Sequence, residues 1–144
     1  KQQTIFAETR NLAIWFFFRI FVAMAVNKVP IVNAGLDVSI QLPVNQVVLS
    51  GTATDPDGTI ASVAWTKTAG GTCIMSGQNT LTLTVTAMVL GSYTFKLTAT
   101  DNKGATSSDS VKVTVTRVID DVAVDFDTKI VTITYSDGTI KTIS

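Results

Sequence analysis

The run Tyr93-Thr94-Phe95-Lys96-Leu97-Thr98-Ala99-Thr100 alternates apolar and polar residues without a break. A period of two puts every apolar side chain on one face of an extended strand. The same rhythm recurs where Leu81, Leu83 and Val85 alternate with Thr82, Thr84 and Thr86. It recurs again where Val111, Val113 and Val115 alternate with Lys112, Thr114 and Thr116. Threonine and valine suit a pleated, half-buried surface. Strands with one apolar side each must cover that side with something, and a second sheet is the usual solution.

The remaining strands follow from where the chain is allowed to turn. Val29 to Val32 reads as a first short strand, bent at Asn33-Ala34-Gly35. Asp37 to Leu42 is an edge-like continuation ended by Pro43, and Val47 to Gly51 is the next strand. In Asp55-Pro56-Asp57-Gly58, Pro56 presets φ and Gly58 accepts a positive φ, which makes a tight turn. Ile60 to Thr68 follows, with Val63 and Trp65 on one face, and Trp65 is the expected centre of the core. Ala69-Gly70-Gly71 ends that strand, and Gly91-Ser92-Tyr93 opens the next with the look of a tyrosine corner. The expectation is an all-β, immunoglobulin-like β-sandwich of about seven strands over residues 29–116.

Residues 1–26 form a different unit. Leu12-Ala13-Ile14-Trp15-Phe16-Phe17-Phe18 and Ile20 to Ala25 are strongly apolar and are interrupted only by Arg19. Arg10 upstream and Ala23-Met24-Ala25 downstream fit a signal peptide with its cleavage site. The total apolar length also fits a membrane anchor through residues 12–25, or an apolar helix buried in an assembly. Arg19 and the missing initial methionine count against the first reading, and all three remain open. Each places the sandwich outside the cytoplasm, secreted or at the cell surface.

Composition removes several functions. Lys plus Arg and Asp plus Glu both number 11, so no basic excess recruits nucleic acid. There is no histidine, which removes the commonest general base and the Ser-His-Asp and Cys-His arrangements. Cys73, the single cysteine, has no internal disulfide partner and reads as a small core residue. No catalytic set emerges, and the chain is expected not to be an enzyme.

The landmarks Pro30-Ile31-Val32-Asn33-Ala34-Gly35, Leu49-Ser50-Gly51 and Asp55-Pro56-Asp57-Gly58-Thr59-Ile60 come in a telling order. Val63-Ala64-Trp65, Gly91-Ser92-Tyr93-Thr94-Phe95 and Leu97 through Asp101-Asn102-Lys103-Gly104-Ala105 follow them. In order and spacing these resemble the PKD family of immunoglobulin-like domains. They resemble most its Asp-Pro-Asp-Gly subgroup, common in bacterial surface and secreted proteins. The resemblance implies a non-catalytic accessory or adhesion module. It also implies structural Ca2+ held by Asn33, Asp55 and Asp57, with Asp101 from the second loop at the same end. The alternative is turn chemistry alone, with Asp55 in an Asx-turn and Asp101 capping a hairpin.

Beyond Arg117 a small β-meander is expected over residues 122–144. Val122, Val124 and Phe126 alternate with Ala123 and Asp125, and Val131, Ile133 and Tyr135 form the next strand. Asp137-Gly138 is a two-residue hairpin signal that would set Tyr135 opposite Ile140. Such a meander is marginal alone and has free edges, so self-association through it, or through the N-terminal helix, is expected. The leading functional expectation is an extracellular binding or spacer module of a bacterial surface or secreted protein, contacting protein or polysaccharide. The alternative is a structural subunit of a membrane-anchored filament, envelope complex or virion that retains the N-terminal helix.

Overall fold

The computed structural model describes residues 26–144, and the apolar segment read over residues 1–26 lies outside them apart from Val26. Strands β1 (Ile31–Asn33) and β4 (Thr52–Thr54) pair with each other. Strands β3 (Val47–Ser50), β7 (Thr82–Thr86) and β6 (Ile74–Ser76) form one sheet in the order β3-β7-β6. Facing it, β2 (Val38–Gln41), β9 (Thr106–Thr116), β8 (Gly91–Asp101) and β5 (Ile60–Ala69) are ordered β2-β9-β8-β5. All pairs are antiparallel except β2 with β9. The described residues thus form an immunoglobulin-like β-sandwich without a helix. Among them no helix is long and apolar enough to cross a membrane.

The bend at Asn33-Ala34-Gly35 explains why one expected edge became two strands in different sheets. Gly35 takes φ +93°, which an L side chain rarely adopts, and the chain passes from β1 to the far edge beside β9. Ala34 is held at the crossing, where its N–H donates to Asp109 Oδ2 at 2.8 Å. The short strands β4 and β6 were not legible as separate elements, because neither three-residue run shows a period.

The core lies between the sheets. Leu49, Leu83 and Val85 meet Trp65, Tyr93, Phe95, Leu97, Val111, Val113 and Val115, all buried. Trp65 is 2% exposed, as its place opposite the β3-β7-β6 sheet requires. Gly51 makes room for it: a Cβ there would collide with Leu97 Cδ2 and stand 3.1 Å from Trp65 Cζ2. Cys73 is half-buried and packs against this core. Tyr93 closes one end as a tyrosine corner. Its hydroxyl donates to the Val89 carbonyl at 3.0 Å and accepts the Val89 N–H at 2.9 Å.

The C-terminal meander is a separate three-stranded sheet of β10 (Ile119–Asp125), β11 (Ile130–Tyr135) and β12 (Ile140–Ile143). Cross-strand pairs Val122 with Ile133 and Val124 with Val131 put these apolar residues on one face, and Ile143 joins them through Val131. The last hairpin departs from the expected register: Thr134, not Tyr135, stands opposite Ile140. Tyr135 donates instead to the Thr139 carbonyl, and Gly138 has φ +80°, giving a three-residue loop with glycine in the left-handed position. Ser136 is drawn out of the ladder by bonds elsewhere. Its N–H donates to the Val118 carbonyl and its hydroxyl to the Leu42 carbonyl, both at 3.0 Å. Arg117 completes the tether, with Cζ 3.8 Å from the Tyr135 ring centroid and Nη1 3.1 Å from the Thr139 hydroxyl.

Candidate functional site: the loop cluster at the N-terminal end

The β8–β9 hairpin brings the carboxylate loops together. Its ladder runs from Gly91 opposite Val115 at one end to Thr100 opposite Thr106 at the other. The turn Asp101-Asn102-Lys103-Gly104 closes it, with Gly104 at φ +89°. Strand β5 starts opposite Asp101, which places the preceding Asp-Pro-Asp-Gly loop against this turn. Two backbone-linked contacts lock the loops: Asn102 N–H donates to the Thr59 carbonyl at 2.9 Å, and Thr59 N–H reaches Asn102 Oδ1 at 3.4 Å.

Asp101 is the hub. It is 2% exposed, and a buried carboxylate is tolerated only when its oxygens are bonded. Oδ1 accepts the N–H groups of Lys103 at 2.8 Å and Ala105 at 2.9 Å, while Oδ2 accepts Asn27 Nδ2 at 2.7 Å. Burial pushes its carboxyl upward, but the bonds from Asn27 and the backbone amides outweigh this and hold it below the ordinary range. Asp57 accepts Lys103 Nζ at 3.1 Å on Oδ2 and the Lys28 N–H at 3.1 Å on Oδ1. The Lys103 ammonium, then the Lys28 amide, hold its carboxyl low. Asp55 Oδ1 accepts the Asp57 N–H at 3.2 Å, the Asx-turn its position suggested.

Three of the four residues read as ligands, Asp55, Asp57 and Asp101, therefore share one end of the sandwich. Asn33 does not join them. It pairs with Thr52 further along β1, and its Oδ1 is taken by the Gly35 N–H at 2.7 Å. Asn27 occupies the place expected of Asn33, and Lys28, Asn102 and Lys103 also belong to the cluster. Asn27 and Lys28 escaped sequence reading because they fall at the seam between the apolar segment and the first strand. The only signal available for them was a polar pair just ahead of Pro30.

Turn chemistry accounts for only part of this arrangement. Asp55 Oδ2 and Asn27 Oδ1 are shielded from solvent and have no hydrogen-bond partner. The missing side chain of Gly58 makes room for two of the loop side chains: a Cβ there would lie 2.5 Å from both Asp55 Oδ2 and Asn102 Oδ1. Buried oxygens without donors are costly, and each needs an explanation. Among the described residues no three acidic, histidine or cysteine side chains form a metal cluster on their own. The oxygens of Asp57 and Asp101 are filled by N–H donors and the Lys103 ammonium, so the cluster as it stands is held by its own hydrogen bonds rather than shaped around an ion.

The geometry of the whole domain adds one constraint. The chain comes in through Asn27 beside Asp101 and leaves β9 at Thr116, beside Gln41 and near Gly91 at the opposite end. Ten ladder pairs separate the two ends, a span of about 30 Å at the usual rise per residue.

A sandwich entered at one end and left at the other has the geometry of a modular β-domain. Residues 34–115, more than half of the chain, match the family model described as K319L-like, PKD domain, and the chain belongs to this family. It is 39% identical over 89 residues to human low-density lipoprotein receptor-related protein 11, covering 61% of this chain and 18% of that protein. The mouse dyslexia-associated protein KIAA0319 homolog is 36% identical over 94 residues, covering 63% of this chain and 9% of that one. The chain thus spans less than a fifth of the length of these relatives. Among solved structures, the PKD domain from KIAA 1837 protein superposes with TM-score 0.54 at 36% identity, covering 59% of this chain and 84% of that one. The PKD domain of human KIAA0319 superposes with TM-score 0.53 at 26% identity, covering 65% and 88%. The two curated relatives are human and murine, and what they share with this chain is the domain.

Proposed function

We propose that this domain is a non-catalytic extracellular module that spaces and orients its neighbours while offering its sheet surfaces to protein or polysaccharide partners. One observation carries the reading: the incoming strand is bonded into the loop cluster through Asn27 and Lys28, at the end opposite the exit. A module joined by a slack linker would need no such bonds. Tying the linker to a buried carboxylate fixes the angle at which the preceding segment meets the sandwich. The likeness to a low-density lipoprotein receptor-related protein agrees with an extracellular location. The secreted or membrane-anchored state depends on residues 1–25.

Calcium is the expected stiffener of this junction. Of the residues that the resemblance names for it, Asp55 keeps an unpartnered oxygen, whereas those of Asp57 and Asp101 are taken by N–H donors and the Lys103 ammonium and would have to be released. Bound beside Asp55, it would supply the partner that Asp55 Oδ2 lacks. Its role would be structural.

The test is hydrogen exchange on the full chain with calcium chloride or with EDTA. Calcium should slow exchange at Lys28 and at the Asp101–Ala105 turn while leaving the β3-β7-β6 sheet unchanged. It should also raise the unfolding temperature with concentration, as a ligand of the native state must. No change at either place would remove calcium from the reading. Fast exchange at Lys28 under both conditions would remove the rigid junction itself. Surface labelling and protease shaving of intact cells would check the location.

A further inference from the structure

We propose that the outer face of the β2-β9-β8-β5 sheet docks an anionic polysaccharide, with Lys96 and Lys112 as its charged anchors. The proposal deepens the module reading above and takes its extracellular setting from it. Side chains alternate along a strand, so the residues between the buried apolar ones of β8 and β9 face outward. On β8 these are Thr94, Lys96, Thr98 and Thr100, and on β9 they include Ser108, Ser110 and Lys112. The ladder sets them in rows, with Thr98 opposite Ser108, Lys96 opposite Ser110 and Thr94 opposite Lys112. Strand β5 extends the rows, with Ala64 opposite Thr98 and Thr66 opposite Lys96. From Thr94 to Thr100 the surface runs for about 20 Å at the usual rise per residue.

Charge is segregated around this face, which carries the two lysines while the carboxylates lie elsewhere. Asp55, Asp57 and Asp101 are in the entry loops, and Asp109 accepts the Ala34 N–H. Asp37 borders the face, and its Oδ1 accepts the Lys112 N–H at 2.8 Å. Among the described residues neither Lys96 nor Lys112 has an ion-pair partner. The two are diagonal neighbours across the β8–β9 ladder, about 7 Å apart. Like charges at that distance repel, and an anion bound between them removes the repulsion while accepting charge-assisted hydrogen bonds.

The rest of the face selects a glycan over a protein. Protein interfaces are rich in aromatic residues, methionine and arginine and poor in lysine, serine and alanine. This face has the reverse composition, because Trp65, Tyr93 and Phe95 all point into the core. Each hydroxyl can both donate and accept, which suits sugar hydroxyls and the oxygens of sulfate or carboxylate groups. With no ring on the face for a sugar to stack against, the two ammonium groups supply the attraction.

Dextran sulfate and uncharged dextran, titrated calorimetrically into the full chain, test this because they share a backbone and differ in charge. Dextran sulfate should bind and dextran should not. Lys96→Gln with Lys112→Gln should weaken binding about three- to thirtyfold, as the loss of two exposed ion pairs implies, and added salt should weaken the parent more than this variant. Thr98→Val with Ser108→Ala should weaken it by a smaller factor. Lys129→Gln with Lys141→Gln removes the same charge from the meander and should match the parent. Equal weakening by the meander variant overturns the proposal, since net charge alone would explain it. Dextran binding as tightly as dextran sulfate overturns it as well. Poly-glutamate held as tightly through the same two lysines would make the partner an acidic polypeptide and overturn the glycan. No binding of dextran sulfate leaves a solvated face only and overturns the proposal, while the rigid-module reading stands or falls separately on hydrogen exchange at Lys28.

Discussion

Replacing Tyr93 with Phe isolates a single hydroxyl at the most constrained corner of the sandwich. The ring is 1% exposed and stacks against Phe95, with centroids 6.4 Å apart and planes at 4°. Phenylalanine keeps the ring, its packing and the strand. What disappears is the donor to the Val89 carbonyl at 3.0 Å and the acceptor for the Val89 N–H at 2.9 Å. Each bond is worth about 0.5–1.5 kcal/mol net, and a partner left buried without one costs about 1–3 kcal/mol. Val89 is 55% exposed, so water can reach the freed groups and the lower range applies. The sum is about 1–3 kcal/mol. For a domain of this size it should lower the melting temperature by about 4–8 °C per kcal/mol. Guanidinium unfolding followed by tryptophan fluorescence should show a lower midpoint with an unchanged slope, because the buried surface is the same. A loss below about 0.5 kcal/mol, less than one average bond, would refute the argument that both bonds hold this corner. A changed slope would refute the assumption that the corner is local.

Other perturbations probe separate parts of the molecule. Trp65→Ala empties the centre of the core and should cost about 3–5 kcal/mol by chemical denaturation, and a smaller loss would put Trp65 outside the core. Gly51→Ala pushes a methyl group against Leu97 and Trp65 and should destabilise by about 1–3 kcal/mol, with calorimetry as the check. Ser136→Ala with Arg117→Gln removes the tether of the meander. Hydrogen exchange should then quicken across residues 119–143 and stay constant in β8 and β9. Acid should loosen the same region. The Thr128 hydroxyl and amide hold the Asp125 carboxyl low, and the Thr139 hydroxyl and amide do the same for Asp137. A carboxyl depressed in the folded state stabilises above its unfolded pKa, and that contribution fades as pH falls through the folded value. The turn amides of Thr128 and Thr139 should therefore keep constant protection from pH 7 to about 5 and lose it below about pH 4. Loss of protection between pH 5 and 7 would contradict this, because the chain has no histidine to titrate there.

Much of the sandwich was legible because its signals are local. Alternation fixed which faces of β7, β8 and β9 are apolar, since side-chain direction in a strand follows from position alone. Gly70 and Gly91 marked turns by the same local logic, and Tyr93 announced the corner through its position after Gly91-Ser92; Gly58 does not take the expected positive φ, and it is needed because a Cβ there would meet Asp55 Oδ2 and Asn102 Oδ1. The buried Trp65 followed from its place on β5. The loop cluster was half legible: Asp55, Asp57 and Asp101 sit in recognisable turns whose coming together needs only the order of strands.

What the chain alone determined is therefore the list of strands, their apolar faces, the turns between them and the absence of histidine chemistry. Tertiary structure decided which strand lies beside which, and so which polar atoms meet. The parallel run of β2 beside β9 depends on how far Gly35 swings the chain. The choice of Asn27 over Asn33 depends on where β1 starts against β4. Neither amide carries a local mark that separates it from the other, because both are short polar side chains near a proline. The same holds for the last hairpin, where Ser136 left its ladder for carbonyls of Val118 and Leu42 that are remote in sequence. Local backbone preference sets what a segment can be, whereas the partner of a hydrogen bond is set by distances between segments that only the packed core fixes.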